Sequence, residues 1–142
     1  MRTLLDVNVL IALLDPDHVA HAAATAWFAA HARGGWASCP ITQNGCVRVM
    51  SQPGYPGAPP LQLVSERLAA ALATDLHEFW PDDISVLDNK VIDRTRLHGP
   101  RQITDCYLLA LAVRHHGALA TLDRTISREA VHGATARHLI KI

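Results

Sequence analysis

Apolar and polar positions divide this chain into short alternating units. Thr3–Leu5 is an apolar stretch ending at Asp6, and Val7–Leu14 is a denser apolar run stopped by Asp15-Pro16, which predicts a strand, a carboxylate and a helix in succession. Residues 18–33 are alanine-rich, enclose Trp27 and Phe28, and are followed by Gly34-Gly35 where a helix end favours glycine. Residues 36–39 predict a second strand broken by Pro40, with Thr42 as the N-cap of a helix reaching about Met50.

Residues 51–60 hold four prolines and two glycines, a composition that neither a helix nor a central strand accommodates, so a long surface loop is expected there. Beyond it the pattern predicts a helix over 61–74, a strand over 76–80 and a helix over 82–97. Ile103, Tyr107, Leu108, Leu111 and Ala112 then have the spacing of a buried helical face over 103–116, with Thr104 as N-cap and Gly117 as stop. Strands over 118–122 and 137–140 complete the chain. Strands and helices alternate throughout, which points to an α/β fold with a mainly parallel sheet and helices on both faces.

At 142 residues and 49% hydrophobic composition, residues 1–142 suit a single domain with one sizeable core. Cys39, Cys46 and Cys106 lack the paired spacing of a zinc or redox site, and reduced thiols in a cytoplasmic protein are the expectation. No apolar run approaches the roughly 18 residues that span a bilayer, so neither membrane insertion nor export is expected. The zero net charge hides an asymmetry: residues 1–89 carry four basic and nine acidic side chains, residues 90–142 nine basic and four acidic. Eleven of the thirteen basic residues are arginine, which grips phosphate through a planar fork; codon bias explains the same enrichment equally well.

The chemistry concentrates in three aspartates. In open α/β sheets ligands bind beyond the carboxyl ends of the strands. Asp6 ends the first strand, Asp123 follows the strand over 118–122, and Asp105 stands in the first turn of the helix that feeds it. Such carboxylates repel one another unless a hard cation neutralises them, and Mg²⁺ takes one or two carboxylates together with water and phosphate oxygens. Singly, each has a plainer reading as a helix cap or a partner of the helix dipole.

In combination, Asp6-Val7-Asn8-Val9-Leu10, Thr104-Asp105-Cys106-Tyr107-Leu108-Leu109-Ala110 and Thr121-Leu122-Asp123-Arg124 resemble, in order and spacing, the motifs of the PIN-domain family, most closely its VapC toxins. The resemblance runs from Met1 to about Ile140. It implies a PIN-like three-layer α/β/α domain and a Mg²⁺-dependent endoribonuclease, with Mn²⁺ as a substitute, serving as the toxin of a type II toxin–antitoxin pair. It further implies catalytic and metal-binding roles for Asp6, Asp105 and Asp123, supporting roles for Asn8 and Thr104, an RNA substrate (transfer RNA among those open), a cognate antitoxin and a homodimer.

One departure stands out. The family carries a further acid on the helix after the second strand, yet residues 18–65 contain no Asp or Glu, and Gln43 or Asn44 occupies that region. An amide supplies no negative charge, so weaker metal binding or compensation by Asp88 or Asp93 is expected. Arg48, Arg94, Arg96, Arg101 and Arg124 are candidates for holding RNA phosphates near the acidic rim. The alternative is a catalytically weakened PIN domain acting as an RNA- or antitoxin-binding module. A phosphoacceptor domain with Asp6 as nucleophile is disfavoured by the absence of an evident lysine near the rim.

Overall fold

β1 (Thr3–Leu5) runs into α1 (Val7–Leu14) with a single residue between them. That residue, Asp6, turns the chain by accepting the Val7 backbone N–H on Oδ1 at 2.7 Å, so a side chain at the strand end starts the helix. α2 (His21–His31) begins later than its alanine content predicts because His18 Nδ1 accepts the Ala20 N–H at 3.0 Å and holds residues 18–20 in a turn. β2 (Trp36–Ser38) leads into α3 (Pro40–Met50), and here the sequence expectation is corrected. Pro40 opens the helix as its first residue, where a missing N–H costs nothing, Cys39 is the N-cap, and Thr42 takes the Cys39 N–H on its hydroxyl at 3.0 Å.

The computed structural model describes all 142 residues, and after α4 (Leu61–Leu72) and β3 (His77–Phe79) it departs most from the predicted pattern. Residues 82–93 form turns instead of a helix. Ser85 Oγ accepts the Leu87 N–H, Asp88 Oδ1 the Lys90 N–H and Asp93 Oδ1 the Thr95 N–H, so three short polar side chains outcompete helical hydrogen bonding. Ile92, fully buried, then pairs antiparallel with Val131, fastening this segment to the chain around residues 130–132. α5 (Gln102–Arg114) starts before Thr104, which is exposed and caps nothing; Arg101 holds the N-cap position. β4 (Ala118–Thr121) and β5 (Leu139–Lys141) close the sheet.

The strands order as β3-β2-β1-β4-β5, parallel throughout. β1, β2 and β4 are buried along their whole length, as expected of parallel strands covered on both faces. Leu4, Ala37 and Leu119 face the α5 layer together with Trp80, Ile92 and Val131, while Leu5, Trp36 and Ala120 face α1, α3 and α4. From β1 the chain winds outward to β2 and β3, and from β4 to β5 in the opposite direction. The reversal between β1 and β4 opens a crevice at their carboxyl ends, and Asp6 and Asp123 lie there.

The helix end at 115–117 divides its steric demands between two residues. His116 adopts the left-handed conformation, with φ of 56°. Gly117 is needed for space, because an added Cβ would stand 2.5 Å from the Arg2 carbonyl oxygen and 2.6 Å from the Trp80 ring. Gly117→Ala should therefore destabilise the fold by about 1–3 kcal/mol, read as a lowered urea midpoint with an unchanged m-value.

Candidate active site

The Thr121 hydroxyl ties the strand ends together. It donates to Asp6 Oδ2 at 2.7 Å and accepts from Asn8 Nδ2 at 3.3 Å and from the Asp123 backbone N–H at 3.0 Å. Asn8 closes the link with its own carbonyl, which accepts the Leu122 N–H at 3.0 Å. Asp6, 6% exposed, thus has both carboxylate oxygens engaged, and Asp123 is oriented by the Thr125 N–H and hydroxyl at 2.8 and 2.7 Å.

Asp105 differs from both. Its carboxylate has no hydrogen-bond donor within the protein, and burial, followed by the charges of Asp6 and Asp123, pushes its pKa from 3.8 up to about 6. The same couplings show that the three carboxylates lie within reach of one another's field. Burial also raises Asp6, against the pull of its Thr121 and Val7 hydrogen bonds, with Asp123 adding to the rise. Asp123 is held below its usual value, first by Thr125 and additionally by the Lys141 ammonium.

Asp105 and Asp123 line a cleft of about 320 Å³ between residues 96–106 and residues 123–130. No three His, Cys, Asp or Glu side chains converge closely enough to enclose an ion unaided. The donor set nevertheless suits a hard cation that takes few protein ligands and completes its shell with water: one carboxylate is free of partners, two are oriented, and burial together with neighbouring carboxylate charge raises Asp6 and Asp105.

Residues 3–131 match the family model described as PIN domain. The chain is 58% identical to Ribonuclease VapC44 of Mycobacterium tuberculosis over 98% of both chains. It is 43% identical to Ribonuclease VapC29 of the same organism over 96% of this chain and 95% of the relative, and 42% identical to Ribonuclease VapC39 over 94% and 96%. This chain belongs to the VapC family of PIN domains. Its fold is also that of a crystal structure of VapBC2 from Rickettsia felis bound to a promoter DNA fragment, with a TM-score of 0.57 at 13% identity over 87% of this chain and 89% of that one.

The α3 side of this site carries no acid. Gln43 donates its amide to Ser38 Oγ at 2.9 Å, and Ser38 in turn contacts His77 Nε2 at 2.8 Å, so the Gln43 side chain is engaged at the β2–β3 side of the sheet and not with Asp6. Asn44 is exposed. Gly45 packs on α1, where a Cβ would stand 2.6 Å from Val7 Cγ2, leaving no room there for an acid. Neither Asp88 nor Asp93 compensates: Asp88 caps a turn at Lys90, and Asp93 holds Thr95 and Arg96.

Of the five arginines predicted to meet RNA, Arg96 and Arg101 line the cleft. Arg94 instead donates to the Leu87 carbonyl, Arg48 lies in the last turn of α3, and Arg124 is exposed in the turn after Asp123. Lys141 corrects the expectation that no lysine approaches the rim, since its Nζ donates to the Arg124 carbonyl at 2.8 Å. Thr104 is exposed and hydrogen-bonds to none of the carboxylates. Thr121, two residues before Asp123, is the orienting residue that sequence reasoning missed, because its role requires β1 and β4 to be neighbours. Thr125 was legible as the residue two places after an aspartate, the spacing of a side-chain turn. His98 and Glu129, which also line the cleft, carry no such signal.

Between pH values near the ordinary carboxyl pKa of 3.8 and the folded value of about 6, the native state binds the Asp105 proton and the unfolded chain does not, so rising pH costs native stability. In protein free of divalent ions, Asp105→Asn should raise the melting temperature by a few degrees at about pH 8. That gain should shrink as the pH falls through about 6 and disappear near about 4, where Asp105 is protonated in both states. A pH-independent difference would remove the link to its ionisation.

Proposed function

We propose that this chain is a metal-dependent endoribonuclease acting as the toxin of a type II toxin–antitoxin pair, with its whole length forming one PIN domain. The observation that carries this reading is the partner-free Asp105 carboxylate, coupled to Asp6 and Asp123 at the mouth of a cleft with arginines on its wall. The relatives named as ribonucleases support the chemistry, and the VapBC2 complex supports an antitoxin as partner. A homodimer, RNA as substrate and Mg²⁺ with Mn²⁺ as substitute belong to the same proposal, transfer RNA being the first substrate to test. No helix is long and apolar enough to cross a membrane.

Asp6, Asp105 and Asp123 would hold the cation, which supplies neutralising charge and Lewis acidity toward water and phosphate. The remaining work falls to the protein. Thr121 and the Val7 N–H fix the Asp6 carboxylate, and Thr125 fixes Asp123, so two of the three groups need no reorganisation when RNA arrives. Asp105, with both oxygens free of protein donors, is positioned to accept the proton of the attacking water. Attack at phosphorus opposite the leaving oxygen forms the new P–O bond as the old one breaks, giving a phosphate monoester and a departing oxygen that takes its proton from solvent. Asp6 is unsuited to the alternative role of covalent nucleophile, being buried with both oxygens hydrogen-bonded.

A second reading, a PIN domain that binds RNA or antitoxin without cutting, is favoured by the α3 side, where the helix presents no acid, Gln43 turns to Ser38 and Gly45 packs on Val7. One experiment separates the two. Purified protein incubated with total bacterial RNA should yield discrete fragments with Mg²⁺ or Mn²⁺ and none with EDTA, and Asp105→Asn should lower the rate by at least about a hundredfold. Undiminished cleavage by the folded variant would sink the nuclease assignment to this site. Metal-loaded, folded protein that retains RNA in a filter-binding assay without cutting it would establish the binding module.

A further inference from the structure

The cleft beside the carboxylates carries charges of both signs that do not neutralise one another. Arg96, His98 and Arg101 line it from the segment before α5, and Glu129 lines it from the segment after β4. Arg96 is anchored by Asp93, Nε to Oδ2 at 3.4 Å. His98 is held by its backbone, whose N–H donates to Gln102 Oε1 at 2.7 Å. Arg101 and Glu129 are exposed and form no ion pair, with each other or with any other residue.

The spacing of the two segments is set in advance. The Asp93 N–H donates to the Ala130 carbonyl at 2.8 Å, the His132 N–H to the Val91 carbonyl at 3.0 Å, and Ile92 pairs with Val131 between them. Ala130 and Val131 are buried, so Glu129 projects from a fixed piece of backbone. A cleft of about 320 Å³ bounded in this way has the lower-limit size of a small-ligand site. Phosphate is repelled by Asp105, Asp123 and Glu129 and attracted only along the arginine and histidine side. A carboxylate without a donor, conversely, favours a hydroxyl, and the ribose 2′-hydroxyl is the group that separates RNA from DNA.

We propose that this cleft is a one-nucleotide subsite, in which Arg96, His98 and Arg101 hold the phosphate next to the one being cut and Glu129 accepts a hydrogen bond from the ribose 2′-hydroxyl. The inference rests on the ribonuclease reading for its substrate, but its own chemistry needs neither a divalent ion nor turnover. Glu129 is thereby a specificity-determining residue, and Arg101, unpaired in the free protein, the principal phosphate contact.

The test is calorimetric titration of the full chain, in EDTA and at low salt, with adenosine 3′,5′-bisphosphate and with its 2′-deoxy counterpart. The ribonucleotide should bind more tightly than the deoxynucleotide. Arg101→Ala should weaken both by roughly tenfold and Arg101→Lys by less. Glu129→Ala should erase the preference for ribose while leaving the deoxy ligand bound equally or better. Equal affinities for the two ligands in the parent protein would overturn the role of Glu129, and absence of binding, or binding indifferent to Arg101→Ala, would overturn the subsite. Because cleavage is not measured, a protein that fails to cut RNA can still pass, and an active nuclease can still fail.

Discussion

Carboxylates do not gather without cause. Burial and the charge of neighbouring carboxylates disfavour ionisation of Asp6 and Asp105, while Asp123 is kept ionised by Thr125, and one hydroxyl ties the Asp6 and Asp123 segments together. Thr121 donates to Asp6 and accepts from Asn8 and from the Asp123 backbone, which exhausts the bonding capacity of its oxygen. That arrangement exists only because β1 and β4 are parallel neighbours, with Leu5 opposite Ala120, so that the next residue on each strand meets its counterpart at the rim. The central strand pair therefore determines both where the core lies and where the acids converge.

From that pair the molecule is lopsided in chemistry. On the α3 side the space is filled: Gly45 packs on Val7, and Gln43 is occupied by Ser38 and, through it, His77. On the α5 side the space is open, and the cleft is lined by basic as well as acidic residues from segments that hydrogen-bond to one another. The net positive charge of residues 90–142 thus has a local counterpart in Arg96 and Arg101, which face the cleft, and in Lys141, whose ammonium acts on Asp123, while Arg94 and Arg114 are taken up by contacts elsewhere.

The fold outlasts the sequence to very different degrees among its relatives. Identity of 58% to one VapC covers nearly the whole chain, yet at 13% identity the VapBC2 structure still shares the architecture. Such tolerance suits a parallel sheet buried on both faces, where apolar residues of about the right size suffice for the core, while the strand ends and their caps answer to chemistry.

The sequence by itself determined the alternation of strands and helices, the position of Asp6 and Asp123 at strand ends, and the membership of Asp105 in the first turn of a helix. These follow from local periodicity and from turn-forming residues, which act over a few positions. It misplaced what depends on competition between local options: Pro40 and Thr42 read as a break and a cap where they are the first and third residues of α3, and residues 82–97 read as a helix although Ser85, Asp88 and Asp93 each bind the backbone N–H two residues on. Only the tertiary structure decided that Thr121 is the shared partner of Asp6, Asn8 and Asp123, that Gln43 turns to Ser38, and that Glu129 faces the same cleft as Arg101. Those relations join residues as many as 115 positions apart, and strand order, which no local pattern encodes, is what brings them together.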